Sequence, residues 1–319
     1  MTFAGSPDRV EARLVPELGY EFDPFVVSGL PRRPGPELAV ALGRALTAPR
    51  ACLRILEQRR PHAVLGAGGY VAGPMLLAAR LRRIPCALTE ADAHLGLANR
   101  LAAPLADRVF LAFPLGRDGQ RYRAVGRPIP AASLALERTE ARRRLGLPVE
   151  APVVLVFGGS LGARLLNEAA LAAWAEAGPA VVHLCGERDY PELRGRVTRP
   201  DYLLRPFMAE IGVAYGAADV ALARAGGSVW ELAAAGLPAV LVPGAFATGR
   251  HQDKNARWFA EAGGAVVVPE AQAARAPRVV EELLADDARL EAMRAAMRRV
   301  ARPRAAEVIA DELVALARR

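Results

Sequence analysis

The sequence predicts an α/β protein of two tandem halves, each a parallel sheet covered by helices on both faces. Three observations predict it. Short continuous apolar runs alternate with amphipathic segments along the whole chain, as strands buried on both faces require. A length of 319 residues suits about two ordinary domains. Glycine and polar clusters fall just after the strands, where open parallel sheets bind ligands.

The predicted strands, in order, are Thr2–Ala4, Phe25–Ser28, Ala63–Leu65, Cys86–Leu88, Arg108–Ala112, Val153–Phe157, Val181–Leu184, Tyr202–Arg205, Val220–Leu222, Ala239–Val242 and Ala265–Val268. Amphipathic segments such as Arg164–Glu176 and His251–Ala262 lie between them. Composition shifts near Gly126–Pro130, before the charged run Glu137–Arg144, which places domains at 1–130 and 131–319. The last helix, about 303–319, can return to the first domain. Clusters on the strand ends of both halves imply two ligand surfaces facing across a cleft.

Composition excludes several functions. The net charge of +8 is almost all arginine, with Lys254 the only lysine, and the arginines are spread along the chain. They form a solvated surface or a basic face toward anionic lipid or diphosphate. Aromatics make up 6% and are not interleaved with basic residues, so no nucleic-acid partner is expected. Cys52, Cys86 and Cys185 lie far apart, without a C-x-x-C pair or clustered histidines. A zinc site or disulfide framework is not expected, and a reducing compartment fits. Charge comes too early in MTFAGSPDRVEARL for a signal peptide. Pro238, Pro243 and several glycines break the uncharged stretch Leu232–Gly249, so it does not read as a membrane span.

Several clusters can carry chemistry. VLVFGGSLGARLLNEAA (Val154–Ala170) is strand, glycine-rich turn and helix start. Gly158, Gly159 and Gly162 allow close approach of a ligand, and the helix start offers N–H groups to phosphate. Ser160 is either a donor to that ligand or the helix N-cap. No lysine follows, so this is not a Walker loop. ARAGGSVWELAAAG (Ala223–Gly236) repeats the pattern. Ser228 and Glu231 have capping-box spacing; alternatively the turn faces a diphosphate and Glu231 accepts from ribose hydroxyls. His251, Gln252 and Asp253 suit sugar hydroxyls or form a plain solvated first turn. Gly66–Pro74 and Thr89–Arg100 are similarly ambiguous, and Glu90 and Asp92 are an acid/base pair or carboxylates at a helix start. Arg32–Arg60 interleaves Leu38, Val40, Ala41, Leu42, Leu46, Cys52, Leu53 and Ile55 with Arg44, Arg50, Arg54, Arg59 and Arg60. It is a basic-rimmed face for an anionic bilayer or an ordinary packed helix.

The stretches PHAVLGAGGYVAGP, TEADAHLGLANRLAAPLADRVFLAFP, VLVFGGSLGARLLNEA, ADVALARAGGSVWELAAAGLPAVLVP and HQDKNARWFAEAGGA follow one another along nearly the whole chain. In that order they resemble the MurG family, UDP-N-acetylglucosamine transferases acting on undecaprenyl-diphosphoryl-N-acetylmuramoyl pentapeptide in peptidoglycan synthesis. The resemblance implies two Rossmann-like domains facing a cleft, the GT-B glycosyltransferase architecture, with the donor in the C-terminal half. It puts Ser160 by the diphosphate, the Met208 backbone on uracil, and Gly227, Ser228 and Glu231 along the nucleotide sugar, Glu231 on the ribose. Gln252 falls on the N-acetylglucosamine. Tyr70, Asp92, Asn99, Arg127, Asn167 and His251 complete the substrate-binding candidates, with Asn167 and Asn255 at loop-supporting positions. The implied reaction inverts the anomeric carbon: a sugar hydroxyl attacks, UDP leaves, and protein dipoles carry the diphosphate charge without metal or cofactor. The implied acceptor side is the N-terminal half, peripheral on the cytoplasmic face of the plasma membrane, with Arg32–Arg60 against anionic lipid. Alternatives are a relative with another lipid acceptor, an inactive nucleotide-sugar-binding protein, or a 2-epimerase.

The chain also departs from the family. A first strand and GGTGGH loop, holding the favoured general base, are absent; MTFAGSPDRVEARL reads as a second βα unit. A central strand is thereby missing, so two strand edges are expected to face a gap, and a misassigned start or truncation is the expectation. Thr89 replaces a histidine, Asp92 an asparagine, and Pro130 an arginine that Arg127 substitutes. Arg224 and Glu231 stand one residue closer than in many relatives.

Overall fold

The computed structural model describes residues 1–29, 35–117, 119–159, 162–245 and 250–318, with the backbone alone at 36–40, 42 and 45. Two compact units result, Met1–Val125 with Ala306–Arg319, and Gly126–Ala305.

The first unit runs β1 (Thr2–Gly5), α1 (Glu11–Glu17), β2 (Glu21–Pro24), α2 (Pro36–Arg59), β3 (Val64–Gly66), α3 (Gly69–Leu81), β4 (Cys86–Glu90), α4 (Leu97–Ala102), β5 (Arg108–Leu111) and β6 (Tyr122–Ala124). Its strands form two parallel sheets, β1-β2 and β3-β4-β5-β6. Among the described residues β1 pairs only with β2 and β3 only with β4, so one edge of each lacks a strand neighbour. Phe3 and Leu65, on those strands, are exposed. Phe25, Val27, Cys52, Leu56, Leu76 and Leu88 share the core under α2 and α3.

Two sequence expectations fail here. Phe25–Ser28 is not a strand; the chain pairs four residues earlier, Thr2 opposite Glu21 and Gly5 opposite Pro24. The apolar run marked burial correctly, since Phe25 and Val27 are core residues, but the polar β2 is held by Arg59, whose Nε lies 2.9 Å from Asp23 and Nη1 2.7 Å from Glu21. The edge strand β6 was missed, because three residues, one half-buried and two exposed, give no periodic signal.

The second unit contains α5 (Arg138–Leu145), β7 (Val153–Phe157), α6 (Arg164–Trp174), β8 (Ala180–Leu184), α7 (Tyr190–Leu193), β9 (Tyr202–Arg205), α8 (Ile211–Ala217), β10 (Val220–Ala223), α9 (Val229–Ala235), β11 (Ala239–Leu241), α10 (His251–Glu261), β12 (Ala265–Val267), α11 (Ala276–Leu284) and α12 (Asp287–Val300). The sheet order is β12-β11-β10-β7-β8-β9, all parallel. Every residue of β7, β8 and β10 is buried, which accounts for apolar runs broken only by His183 in β8. The order reverses between β7 and β10, and ligands of such sheets bind outside that switch point.

The last helix, α13 (Ala305–Ala317), returns to the first unit. Its Ile309 and Leu316 cover Ala87 and Phe110. Glu312 there pairs with Arg108 at 3.4 Å and with Arg123.

Candidate functional site

The glycine-rich turn after β7 is shaped by what lies beneath it. Gly162 has φ +72°, and a β-carbon there would overlap the Cys185 carbonyl. The turn therefore lies directly on the end of β8, a contact that only glycine permits. The helix begins at Arg164 with Ala163 as N-cap and no capping side chain. Ser160, expected as a donor or as the N-cap, lies outside the described residues.

Asn167 is fully buried below this turn. Its Nδ2 donates to the Cys185 carbonyl and to Asp189 Oδ2, both at 2.9 Å, and its Oδ1 lies 3.0 Å from His183 Nε2. His183 Nδ1 lies 2.8 Å from the Tyr202 hydroxyl. Burial pushes the His183 imidazole down to about 3, so it is neutral. Both polar atoms of the Asn167 side chain are thus engaged beneath the turn.

The turn after β10 is the second wall of the switch point. Ser228 sits at the N-cap of α9 without a side-chain cap bond. Glu231 does not reach back to close a capping box; its Oε2 accepts from the Tyr215 hydroxyl at 3.0 Å. The Arg127 guanidinium lies against Gly227, where any β-carbon would overlap it. Buried Asn255 donates from Nδ2 to the Ala225 carbonyl at 3.1 Å, tying α10 to this turn. Trp230 packs on Trp258 and Phe259 at centroid distances of 5.5 and 5.4 Å, seating α9 on α10.

A third segment follows β11. Gln252 Oε1 accepts from Gly244 N at 2.8 Å, leaving its NH2 group for another acceptor. Arg224 donates to the Val242 carbonyl at 3.1 Å and pairs with Glu270 at 2.6 Å, and Glu270 accepts from Ala245 N. His251 opens α10 behind Arg250, which adopts φ +53°. Met208, after β9, is buried. The structure thus gathers Arg127, Gly227, Ser228 and Glu231 at one turn and sets Gln252 and His251 on the next.

In the first unit the acidic loop after β4 is wound around Glu90. One carboxylate oxygen accepts from Asp92 N at 3.1 Å, the other from Gly96 N at 3.0 Å and Asn99 Nδ2 at 2.9 Å. Asn99 also accepts from Gly69 N and donates to the Thr89 carbonyl, both at 3.1 Å. Both side chains are buried. Glu90 thus anchors the loop after β4, and Asn99 ties that loop to the turn after β3. Tyr70 accepts from Arg9 Nε at 3.1 Å.

Residues 2–111 match the glycosyltransferase family 28 N-terminal domain and residues 153–309 the glycosyltransferase family 28 C-terminal domain. The UDP-N-acetylglucosamine–N-acetylmuramyl-(pentapeptide) pyrophosphoryl-undecaprenol N-acetylglucosamine transferase of Mycobacterium tuberculosis H37Rv is 41% identical, covering 99% of this chain and 82% of its own. The protein of the same name from Rubrobacter xylanophilus is 39% identical over 100% of this chain and 96% of its own. The crystal structure of Acinetobacter baumannii MurG superposes with a TM-score of 0.76 at 27% identity, covering 98% of this chain and 90% of that one.

The chain belongs to the MurG family. It is accordingly a glycosyltransferase of family 28, with α/β domains of the GT-B kind. Within this MurG-family site, sequence reasoning missed Tyr215, His183 and Tyr202. His183 had a signal, a polar residue inside the apolar run VVHLC. Tyr215 had none, since its partner is sixteen residues away on another element.

Proposed function

We propose that this chain transfers N-acetylglucosamine from UDP-N-acetylglucosamine to undecaprenyl-diphosphoryl-N-acetylmuramoyl pentapeptide, with inversion. The observation that carries the reading is the pair of turns at the β7/β10 switch point, one backed by α6 and the other by Arg127, with Glu231 turned away from its own helix start. A sugar hydroxyl of the acceptor attacks the anomeric carbon, the bond to the diphosphate oxygen breaks, and the hydroxyl proton is released. The diphosphate charge that develops on UDP meets backbone N–H groups at the start of α6 and the Arg127 guanidinium. Those donors support a transfer without metal or cofactor. Gln252 turns its NH2 group to the sugar, Glu231 accepts from the ribose, Met208 offers backbone to uracil, and Ser160 serves the diphosphate. Asp92, Tyr70 and His251 are the remaining polar groups assigned to substrate.

We place the acceptor-bearing membrane against the first unit. Leu77 and Leu81 on α3 and Leu97 and Leu101 on α4 are exposed, beside the exposed Arg80, Arg83 and Arg100. Exposed leucines rimmed by arginines suit an anionic bilayer surface. On α2, Ala48, Cys52 and Leu56 are buried in the core while Leu46 is exposed, beside the exposed Arg44, Arg50 and Arg54; Arg32 and the side chains of Leu38, Val40 and Leu42 lie outside the described residues. Among the described residues no helix is long and apolar enough to cross a membrane.

The test is transfer of labelled N-acetylglucosamine from UDP to the purified lipid-linked muramoyl pentapeptide, with and without a chelator. A β-linked disaccharide lipid formed equally in both is expected. Nucleotide-sugar binding without transfer, or free N-acetylmannosamine made without acceptor, would overturn the reading.

A further inference from the structure

We infer that Tyr215 is a positioning residue that aims the Glu231 carboxylate at the ribose of the nucleotide donor. The inference rests on the transfer reading above for the identity of that donor, and on independent geometry for the role of Tyr215.

Tyr215 is 2% exposed and makes one polar contact among the described residues, to Glu231 Oε2. Its ring meets Phe157 edge-on at 6.1 Å. Phe157 is the last residue of β7, directly before the first glycine turn, and Glu231 lies in the first turn of α9, directly after the second. The tyrosine therefore sits beneath the switch point and touches the root of both walls.

Its own placement is tightly set. Gly212 and Gly216, on one face of α8, have no room for a β-carbon because the carbonyls of Leu134 and Leu136 press against them. Leu136 N also donates to the Gly212 carbonyl at 3.2 Å. With that face clamped, α8 cannot rotate, and the Tyr215 hydroxyl is delivered to one point.

The consequence for Glu231 follows from competition. A Ser-x-x-Glu start ordinarily lets the glutamate fold back on its N-cap N–H. Tyr215 captures one oxygen instead, and the half-buried Glu231 keeps its other oxygen without a bond among the described residues. Burial, and then the nearby carboxylate, push the Tyr215 hydroxyl well above its ordinary range, so it stays protonated and always donates. A carboxylate with one oxygen pinned and one open is a fixed acceptor for a hydroxyl. A site built to bond a hydroxyl discriminates against the analogue that lacks it.

The experiment compares kcat and KM for UDP-N-acetylglucosamine and its 2′-deoxyuridine counterpart in the wild type, Tyr215→Phe, Glu231→Gln and the double variant. The phenylalanine keeps the ring and its packing. We expect the preference for the ribo donor to fall about tenfold in Tyr215→Phe, in KM, with kcat at saturation changed less than about twofold. The double variant should be no worse than Glu231→Gln, because both losses act through one contact. Equal losses on both donors, or additive losses in the double variant, would mean that Tyr215 merely packs. Should the chain turn over no sugar, the same comparison made by calorimetry with UDP and 2′-deoxy-UDP decides the role of Tyr215 separately. A wild type indifferent to the 2′-hydroxyl in either format overturns the inference and leaves the transfer reading standing.

Discussion

The Nε2 of His183 lies 3.0 Å from the Oδ1 of Asn167, and the bonding of Asn167 decides which atom carries the hydrogen. Both N–H bonds of the Asn167 amide go to the Cys185 carbonyl and Asp189, so Oδ1 must accept. His183 is therefore the Nε2–H tautomer, and its Nδ1 accepts from Tyr202. The neutral imidazole is the keystone under the first glycine turn.

His183 should make stability depend on pH in a defined window. Its ordinary value of 6.5 falls to about 3 on folding, so only the unfolded chain takes up a proton between those values. The stabilisation is complete above pH 6.5 and is lost as pH falls toward 3, by about 1.4 kcal/mol per pH unit at the steepest. Urea unfolding at pH 7 and pH 4.5 should show His183→Gln losing its disadvantage to the wild type as pH drops. Parallel pH curves for the two proteins would refute this.

Gly162→Ala should cost more than Gly159→Ala, although both glycines have positive φ. Gly159 has φ +91° with nothing within 4 Å of an added β-carbon, whereas Gly162 faces the Cys185 carbonyl. Alanine at 159 bears only the left-handed backbone, about 1–2 kcal/mol. Alanine at 162 must also displace the end of β8, lowering Tm further and raising KM for the nucleotide sugar. Equal Tm shifts would contradict the close approach.

Asp219→Ala should destabilise strongly without touching substrate. Asp219 accepts from Val153 N at 2.9 Å and pairs with Arg142 and Arg138, both at 2.7 Å, and with Arg294 at 3.4 Å. Arg142 is fully buried and also donates to the Ala217 and Ala151 carbonyls. Stripping a buried arginine of its carboxylate costs about 3–5 kcal/mol. This knot joins the starts of β7 and β10, the edge opposite the glycine turns, so KM of the folded variant should be unchanged.

Leu97→Glu with Leu101→Glu should abolish binding to vesicles of anionic phospholipid while changing stability by only about 0.5 kcal/mol, because both leucines are about two-thirds exposed. Sedimentation with vesicles measures the first and urea unfolding the second. Undiminished vesicle binding would place the membrane face elsewhere.

Much of the fold was legible because buried parallel strands write themselves as apolar runs. Val153–Phe157 and Tyr202–Arg205 were delimited to the residue. The failures had local causes: β2 is polar and held by Arg59, and β6 is too short and exposed to show a period. At the site, the glycine turns were legible because close approach demands glycine, whereas the loop bonds of Glu90 and Asn99 were not, as buried loop anchors use the same residue types as acid/base and substrate-binding groups.

The strands of the second unit's sheet, the two turns and the family were determined by the sequence alone, because each is a pattern within one short window or a succession of such windows. Which partner Glu231 takes was decided only by the tertiary structure. Capping box and open acceptor share one local spelling, and the choice falls to a hydroxyl on α8 brought there by the clamp on Gly212 and Gly216. The same holds for His183 and Asn167, whose roles follow from partners that no local pattern encodes.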